Sequence, residues 1–421
     1  MCYTQTNYVT MNKIYLYQRG DDGLLFTYDQ LDELKKITRN YSEDNYFFEG
    51  IEFQHILSED VTDRILETDG IHIVRTNEFA ELFNNTNKML RKYVNTDVQI
   101  IVIGGNLEQH IFSTNGDEEE EMFNLIHNST NIRMLHNTPT MNMDRIVFEP
   151  KIYFYQYLNL QKERSGDGIT NFYYYKDIFR KLPKEKRLGI HMGTLGDRMP
   201  DRYNLVKRLL LTDYCSHPNL FFTLNTNHTP LTHKRLLSDT NIDIDKYESF
   251  NVHDKERKDS LRYNREYYPP NYFIGLANLF INSDIEILYE TNGRENSVLY
   301  KKPTEKLLKS IILGKPFINM DPIIHHIVKE YGFNTYDNLL GEDLLNEYNR
   351  YSVDTFIGNI NSVTWVDTLF NRIQQLLDMD VSTYSALLNE ANTIAQQNIK
   401  RFEEVYHNTA LINKIKELGW I

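Results

Sequence analysis

Ile285-Glu286-Ile287-Leu288-Tyr289-Glu290-Thr291-Asn292, followed after a variable stretch by Pro303-Thr304-Glu305-Lys306-Leu307-Leu308-Lys309-Ser310-Ile311-Ile312-Leu313-Gly314-Lys315-Pro316-Phe317-Ile318-Asn319, decides the fold. The short apolar run over 286–290 reads as a buried strand that delivers Glu290 and Asn292 at its carboxyl end. A helix then starts near Pro303-Thr304, with Thr304 as its cap and Glu305 in its first turn. Gly314 permits a tight turn into a second apolar strand, 315–320. A helix start offers free amide N–H groups, and Lys306 adds a full positive charge. Together they suit a diphosphate. Glu290 and Glu305 can accept hydrogen bonds from vicinal sugar hydroxyls. The plainer reading makes Glu305 and Lys306 helix-surface residues and Thr304 a cap and nothing more.

The same alternation extends in both directions. Strands are expected over 13–17, 70–75 and 97–103, with helices over 28–38 and 77–94. A second series begins with a strand at 187–192, ending at Gly193-Thr194-Leu195-Gly196, and a helix whose first turn holds Pro200. Strand 219–224 and helix 325–331 continue it, and 384–418 reads as a long amphipathic helical tail. Near-continuous apolar strands alternating with helices argue for parallel sheets covered on both faces. The polar, glycine-bearing 160–186 stretch marks a domain boundary. The expected architecture is α/β, with two Rossmann-like doubly wound domains facing a cleft. A lead-in covers 1–11, an acceptor-side domain 12–180, a nucleotide-sugar domain 186–385, and a C-terminal helix 386–421 that packs back on the first domain. Ligands are expected at strand carboxyl ends in the cleft.

Composition narrows the class. The chain has 421 residues, 41% hydrophobic and 25% charged, close to globular averages. Its net charge of −13 gives no general attraction to nucleic acid or anionic membrane. Two cysteines, Cys2 and Cys215, exclude a disulfide framework and a cysteine-rich zinc site. No stretch approaches the ~20 apolar residues of a membrane span, and the first residues lack a secretory pattern. A cytoplasmic protein is expected. The acidic run Gly116-Asp117-Glu118-Glu119-Glu120-Glu121 reads as a solvated helix start.

The stretch from Tyr289 to Asn319 resembles the nucleotide-sugar end of glycosyltransferases with two Rossmann-like domains (the GT-B type). It looks like the fucosyltransferase pattern of a strand ending in Glu-Asn, then Thr-Glu-Lys, then a Gly-Xaa-Pro turn into a strand. It is closer to a group of phage-encoded glycosyltransferases, through Thr304-Glu305-Lys306, Pro316-Phe317-Ile318 and Gly332-Phe333. The likeness covers roughly residues 185–420, and the first domain carries no matching motif. One departure is that Thr291 stands between Glu290 and Asn292. The resemblance implies a nucleoside-diphosphate sugar as co-substrate and no further cofactor. It makes Glu305 the ribose ligand and Lys306 a phosphate contact, and it nominates Arg198, Arg202 and Lys207 as a pyrophosphate clamp. Gly193 and Thr194 would let phosphate approach the backbone.

An inverting transfer needs a base for the acceptor hydroxyl. Loops after first-domain strands are the places for it, which nominates Asp22, Glu108 and His110, with His136 as a further choice. Each of these also reads as a turn or cap residue. Asp243-Ile244-Asp245 and Asp378-Met379-Asp380 spell an Asp-Xaa-Asp metal pair but do not follow buried strands, so both read as turns or caps. No essential metal is expected. The phage-encoded likeness implies hydroxymethylated pyrimidines in DNA, such as hydroxymethylcytosine, as acceptor. The fucosyltransferase likeness implies a surface glycan or small molecule, and a non-catalytic sugar-nucleotide or protein-binding module is a third reading. Two basic zones bear on DNA: 176–208, with ten basic and four acidic residues, and 255–265, where arginines interleave with tyrosine.

Overall fold

The computed structural model describes residues 13–17, 22–37, 45–56, 66, 68–75, 80–104, 116–137, 144–159, 173, 176–177, 179–181, 183–194, 200–225, 230–247, 283–289, 303, 305–351 and 364–421. The chain divides into two units, Met1–Gln156 with Glu403–Ile421, and Tyr157–Phe402.

The first unit is built on a seven-stranded sheet. Its strands are β1 (Lys13–Tyr17), β2 (Asn45–Phe48), β3 (Ile51–Ile56), β4 (Ile71–Arg75), β5 (Gln99–Gly104), β6 (Ile132–His136) and β7 (Ile146–Phe148). The order is β2-β3-β1-β4-β5-β6-β7, parallel throughout except where β2 pairs with β3. That β2–β3 hairpin turns on Glu49 (φ 48°) and Gly50 (φ 80°), the two left-handed residues a tight hairpin requires. Helices α1 (Asp22–Leu25), α2 (Tyr28–Ile37), α3 (Ala80–Tyr93), α4 (Gly116–His127) and α5 (Pro150–Asn159) intervene. One apolar layer joins Ile14, Leu16, Ile71, Ile73, Ile101, Ile103 and Leu135 of the strands to Leu411, Ile412, Ile415 and Trp420 of the returning C-terminal segment. Lys151 fastens that return: the residue is 1% exposed, and its ammonium donates to the carbonyls of Phe26 (2.9 Å) and Thr409.

The second unit carries β8 (Lys186–Thr194), β9 (Leu220–Asn225), β10 (Ser283–Leu288) and β11 (Phe317–Asn319), in the order β11-β10-β8-β9, all parallel. Its helices are α6 (Pro200–Leu211), α7 (Pro230–Thr240), α8 (Glu305–Leu313), α9 (Pro322–Glu330), α10 (Asp337–Tyr348), α11 (Thr364–Asp378) and α12 (Val381–Glu403). A π-helical turn, Glu404–Asn408, and α13 (Leu411–Glu417) follow in the first unit. Pro200 opens α6, as its fixed φ and missing N–H predict. α8 buries Leu307, Leu308, Ile311 and Ile312. It ends in a Schellman arrangement: Gly314 N donates to Ile311 O (3.0 Å) and Lys315 N to Ser310 O (2.8 Å). Gly314 has φ 63°, a backbone that favours glycine, and a Cβ there would lie 2.6 Å from Ile399 Cδ1 and displace that side-chain tip.

Both sheets are doubly wound in the Rossmann manner. The chain enters at an inner strand, adds strands on one side, then crosses to the other. In the second unit β8 is entered first, β9 lies on one side of it, and β10 and β11 on the other. The strand expected at 286–290 is Ser283–Leu288, so Tyr289 lies just past its carboxyl end. The strand expected at 315–320 is Phe317–Asn319, which leaves Lys315 in the turn before it.

Candidate functional site

In a doubly wound sheet the winding reverses at one point, and the strand ends there diverge to leave a crevice. In the second sheet that point lies between β8 and β10. Each strand is followed by a helix whose first turn brings a cation back to it. Arg202, third residue of α6 and 4% exposed, places its guanidinium carbon 4.4 Å from the Tyr289 ring centroid. Lys306, second residue of α8, places Nζ 5.4 Å from the same centroid. Two of the residues nominated from sequence therefore meet on one buried ring at the switch. Each cation lies within reach of the ring face, so two positive charges gather at these strand ends. β8 is also irregular here: its register with β9 shifts between His191 and Thr194. Such a bulge around Gly193 re-aims the strand end where a ligand would approach.

Beneath the switch lies a buried polar network that the sequence reading did not find. Lys315 Nζ donates to Glu286 Oε2 (2.8 Å) and to Ser283 Oγ (2.7 Å). Both charged side chains are 3% exposed or less. His191 Nε2 lies 3.7 Å from Glu286 Oε1, and its Nδ1 is 3.0 Å from Thr223 Oγ1. Burial raises the Glu286 carboxyl to about 7, against the opposing pull of Lys315 and the Ser283 hydroxyl. Burial likewise lowers the Lys315 ammonium, against the Glu286 charge. The signal was present as a glutamate inside an apolar strand, but the alternation of a half-exposed strand gives the same spelling.

The other nominated residues are placed as follows. Glu305 is the first residue of α8 and Asp22 the first of α1, but their side chains lie outside the described residues. So do those of Gly193 and Thr194, which occupy the last positions of β8. Glu290, Thr304, Arg198, Glu108, His110 and the 255–265 zone lie outside the described residues altogether. His136 ends β6, is 1% exposed, and packs edge-on to Phe123. Lys207 is engaged with Asp239 (2.8 Å), which also accepts from Tyr203 Oη (2.9 Å). This triad ties α6 to α7. Burial, then the Asp239 bond, pushes the Tyr203 phenol up to about 12.

Neither Asp-Xaa-Asp spelling builds a metal site. Asp243 Oδ1 accepts from Asp245 N (3.1 Å) in a local turn, and Asp245 meets His233 (2.9 Å). Asp380 accepts from Ser382 Oγ and Thr383 N at the start of α12, while Asp378 accepts from Tyr214 Oη (2.6 Å). Among the described residues no group of three or more His, Cys, Asp or Glu could hold a metal ion, and no helix is long and apolar enough to cross a membrane.

No protein-family model and no curated protein sequence matches the chain. Among solved structures it is similar to a UDP-forming α,α-trehalose-phosphate synthase from Burkholderia xenovorans, at 10% identity and a TM-score of 0.38, with 97% of this chain and 99% of that chain covered. An E. coli trehalose-6-phosphate structure bound with UDP-2-fluoro glucose gives the same four values. TarM of S. aureus, in complex with UDP among other ligands, gives 10% identity and a TM-score of 0.30, with 77% of this chain and 59% of that chain covered.

Proposed function

We propose that the chain is a glycosyltransferase that moves a sugar from a nucleoside diphosphate to an acceptor hydroxyl. The observation that carries this reading is the convergence of Arg202 and Lys306 on Tyr289 at the switch point of the second sheet. In such a transfer the acceptor oxygen bonds to the anomeric carbon as the bond from that carbon to the diphosphate oxygen breaks. The electron pair leaves with the diphosphate, and cations fixed at its site stabilise the departing charge. Arg202 and Lys306 take that role, with Glu305 holding the ribose and Thr304, Glu290, Gly193, Thr194 and Arg198 completing the donor site. The acceptor's proton is assigned to a base among Asp22, Glu108 and His110, with Asp22 and Glu108 first. No metal is required, because the two cations and the α8 amides supply positive charge where charge develops.

For the acceptor, a hydroxymethylated pyrimidine in DNA is the first to test, because the Thr304-Glu305-Lys306 likeness points there. A surface glycan is the alternative. Strong salt dependence of duplex binding would support DNA, since phosphate contacts release counterions.

The donor site is tested by thermal shift and calorimetry with UDP and GDP. A nucleotide that binds only the native state at a hundredfold excess over its dissociation constant adds about 2.7 kcal/mol of stability. Lys306→Ala is expected to keep the fold and weaken the bound nucleotide about ten- to a hundredfold, the range for a charge-assisted contact. Unchanged affinity would remove the phosphate role of Lys306.

A further inference from the structure

Asn319 ends β11, is 1% exposed, and has no hydrogen-bond partner for either Oδ1 or Nδ2 among the described residues. Its backbone, by contrast, is firmly held. Tyr348 Oη donates to Asn319 O (2.5 Å), and the next residue, Met320, donates its N–H to Leu288 O (2.7 Å). An amide removed from water with both ends unsatisfied lowers stability. Leucine has the same branched skeleton and no polar atom to strand, although its methyls are larger than the amide oxygen and nitrogen. The protein's own hydrogen bonds therefore do not explain asparagine here, and its place in the fold suggests what does.

Asn319 pairs in register with Leu288, the residue before Tyr289, at the carboxyl end of the sheet. Neighbouring strands are ~4.8 Å apart, so the amide belongs to the strand end next to the one that presents the Arg202–Tyr289–Lys306 cluster. The following α9 N-terminus does not offer an anion site, because Asp321 caps it by accepting from Ile323 N (2.9 Å). A neutral amide is thus left unsatisfied at the carboxyl end of the strand neighbouring the one that leads to Tyr289. It presents one acceptor and two donors in a plane, the complement of adjacent hydroxyls that each donate and accept.

We propose that Asn319 binds hydroxyls of the sugar being transferred and so selects which sugar the donor carries. This rests on the donor-site reading above, and it adds a specificity residue one strand away from the phosphate contacts. A site built to hydrogen-bond a hydroxyl discriminates sharply against a donor that lacks it, because the amide is then left unpaired.

The test is a calorimetric comparison of the wild type and Asn319→Leu with UDP, UDP-glucose, GDP and GDP-mannose, alongside the melting temperature without ligand. Asn319→Leu is expected to bind the bare nucleotide as the wild type does. Its preference for the sugar-bearing form over that nucleotide should fall about tenfold, the loss of one or two neutral hydrogen bonds. The unliganded melting temperature reports whether the larger leucine side chain is accommodated. Equal losses for nucleotide and nucleotide sugar, or no loss for either, overturn the proposal. A lower melting temperature with unchanged binding also overturns it, because the amide would then serve a buried water. A wild type that binds none of the four compounds refutes the donor site itself, and this inference with it. If the leucine variant does not fold, Asn319→Ala is carried through the same titrations.

Discussion

Lys315→Met probes the buried pair under the candidate site. The ammonium lies 2.8 Å from Glu286 Oε2, and the two side chains are 3% and 2% exposed, so neither has water to fall back on. Removing one partner of such a pair leaves a buried charge without compensation, which costs about 3–5 kcal/mol. The cost depends on pH with a definite sign. Burial already raises the Glu286 carboxyl from its ordinary value to about 7, and loss of the neighbouring cation raises it further. A folded-state pKa above the unfolded one gives stability that is fully present below the unfolded value and lost as pH rises through the folded value. At pH 5.5 the variant's folded-state carboxyl is protonated and can donate to Ser283 Oγ, and the loss shrinks to the ~1–2 kcal/mol of protonating a carboxyl about one unit above its unfolded value. At pH 8.5 that protonation costs far more, and the full loss appears. Urea unfolding at the two pH values measures the difference. Glu286→Leu combined with Lys315→Met should recover most of the stability at pH 8.5, because a buried pair exchanged for apolar groups is often neutral. Equal destabilisation at both pH values would falsify the account, as would a double variant no more stable than the single one.

Two further substitutions test the packing around these groups. Gly189→Ala places a Cβ 2.5 Å from both Glu286 Oε2 and Ser283 Oγ. Both atoms are held by Lys315, so overpacking should cost at least ~1–3 kcal/mol, read as a lower melting temperature. In the first unit, burial lowers the Lys151 ammonium to about 8 against the opposing charge of Glu149. The fold therefore favours its neutral form, and wild-type stability should rise as pH climbs from about 8 towards the unfolded value near 10.4. Lys151→Met should flatten that rise in pH-dependent unfolding and cost about 1–3 kcal/mol by stranding the Phe26 and Thr409 carbonyls.

Most of the parallel framework was legible because its signals are local. β5 announces itself as an unbroken apolar run that must be covered on both faces, and α6 by a proline where a helix begins. The placement of Lys306 and Arg202 near the strand ends was legible for a related reason. A cation in the first turn of a helix that follows a strand returns to that strand's end, whatever the rest of the chain does. The β2–β3 hairpin went unread, although Glu49-Gly50 is a short turn signal, because its flanking strands lack clean alternation. The Glu286–Lys315 pair went unread because burial on a sheet face is a tertiary fact. Twenty-nine residues separate the partners, and nothing local tells a buried glutamate from an exposed one.

The basic zone at 176–208 shows the same limit in a form that bears on function. From sequence it is a run of positive charge, which nucleic acid would reward. In the fold much of that charge is engaged by carbonyl ends and acidic partners, at the surface as well as within. Arg180 Nε donates to Ile312 O (3.1 Å) at the C-terminus of α8, and Lys186 to Pro218 O (2.6 Å). Arg187 donates to the carbonyls of Leu376, Leu377 and Met379 at the end of α11, stacked on the Tyr384 ring. Lys207 meets Asp239, and Arg208 meets Asp367 (2.6 Å). Cations at helix C-termini satisfy orphan carbonyls and oppose the helix dipole, so their charge is already compensated where it sits. Two consequences follow. The C-terminus of α8 is held by Arg180 and the turn after it by Lys315, which anchors the far end of the helix that presents Lys306. A polyanionic acceptor, for its part, would have to compete with these partners for the five cations.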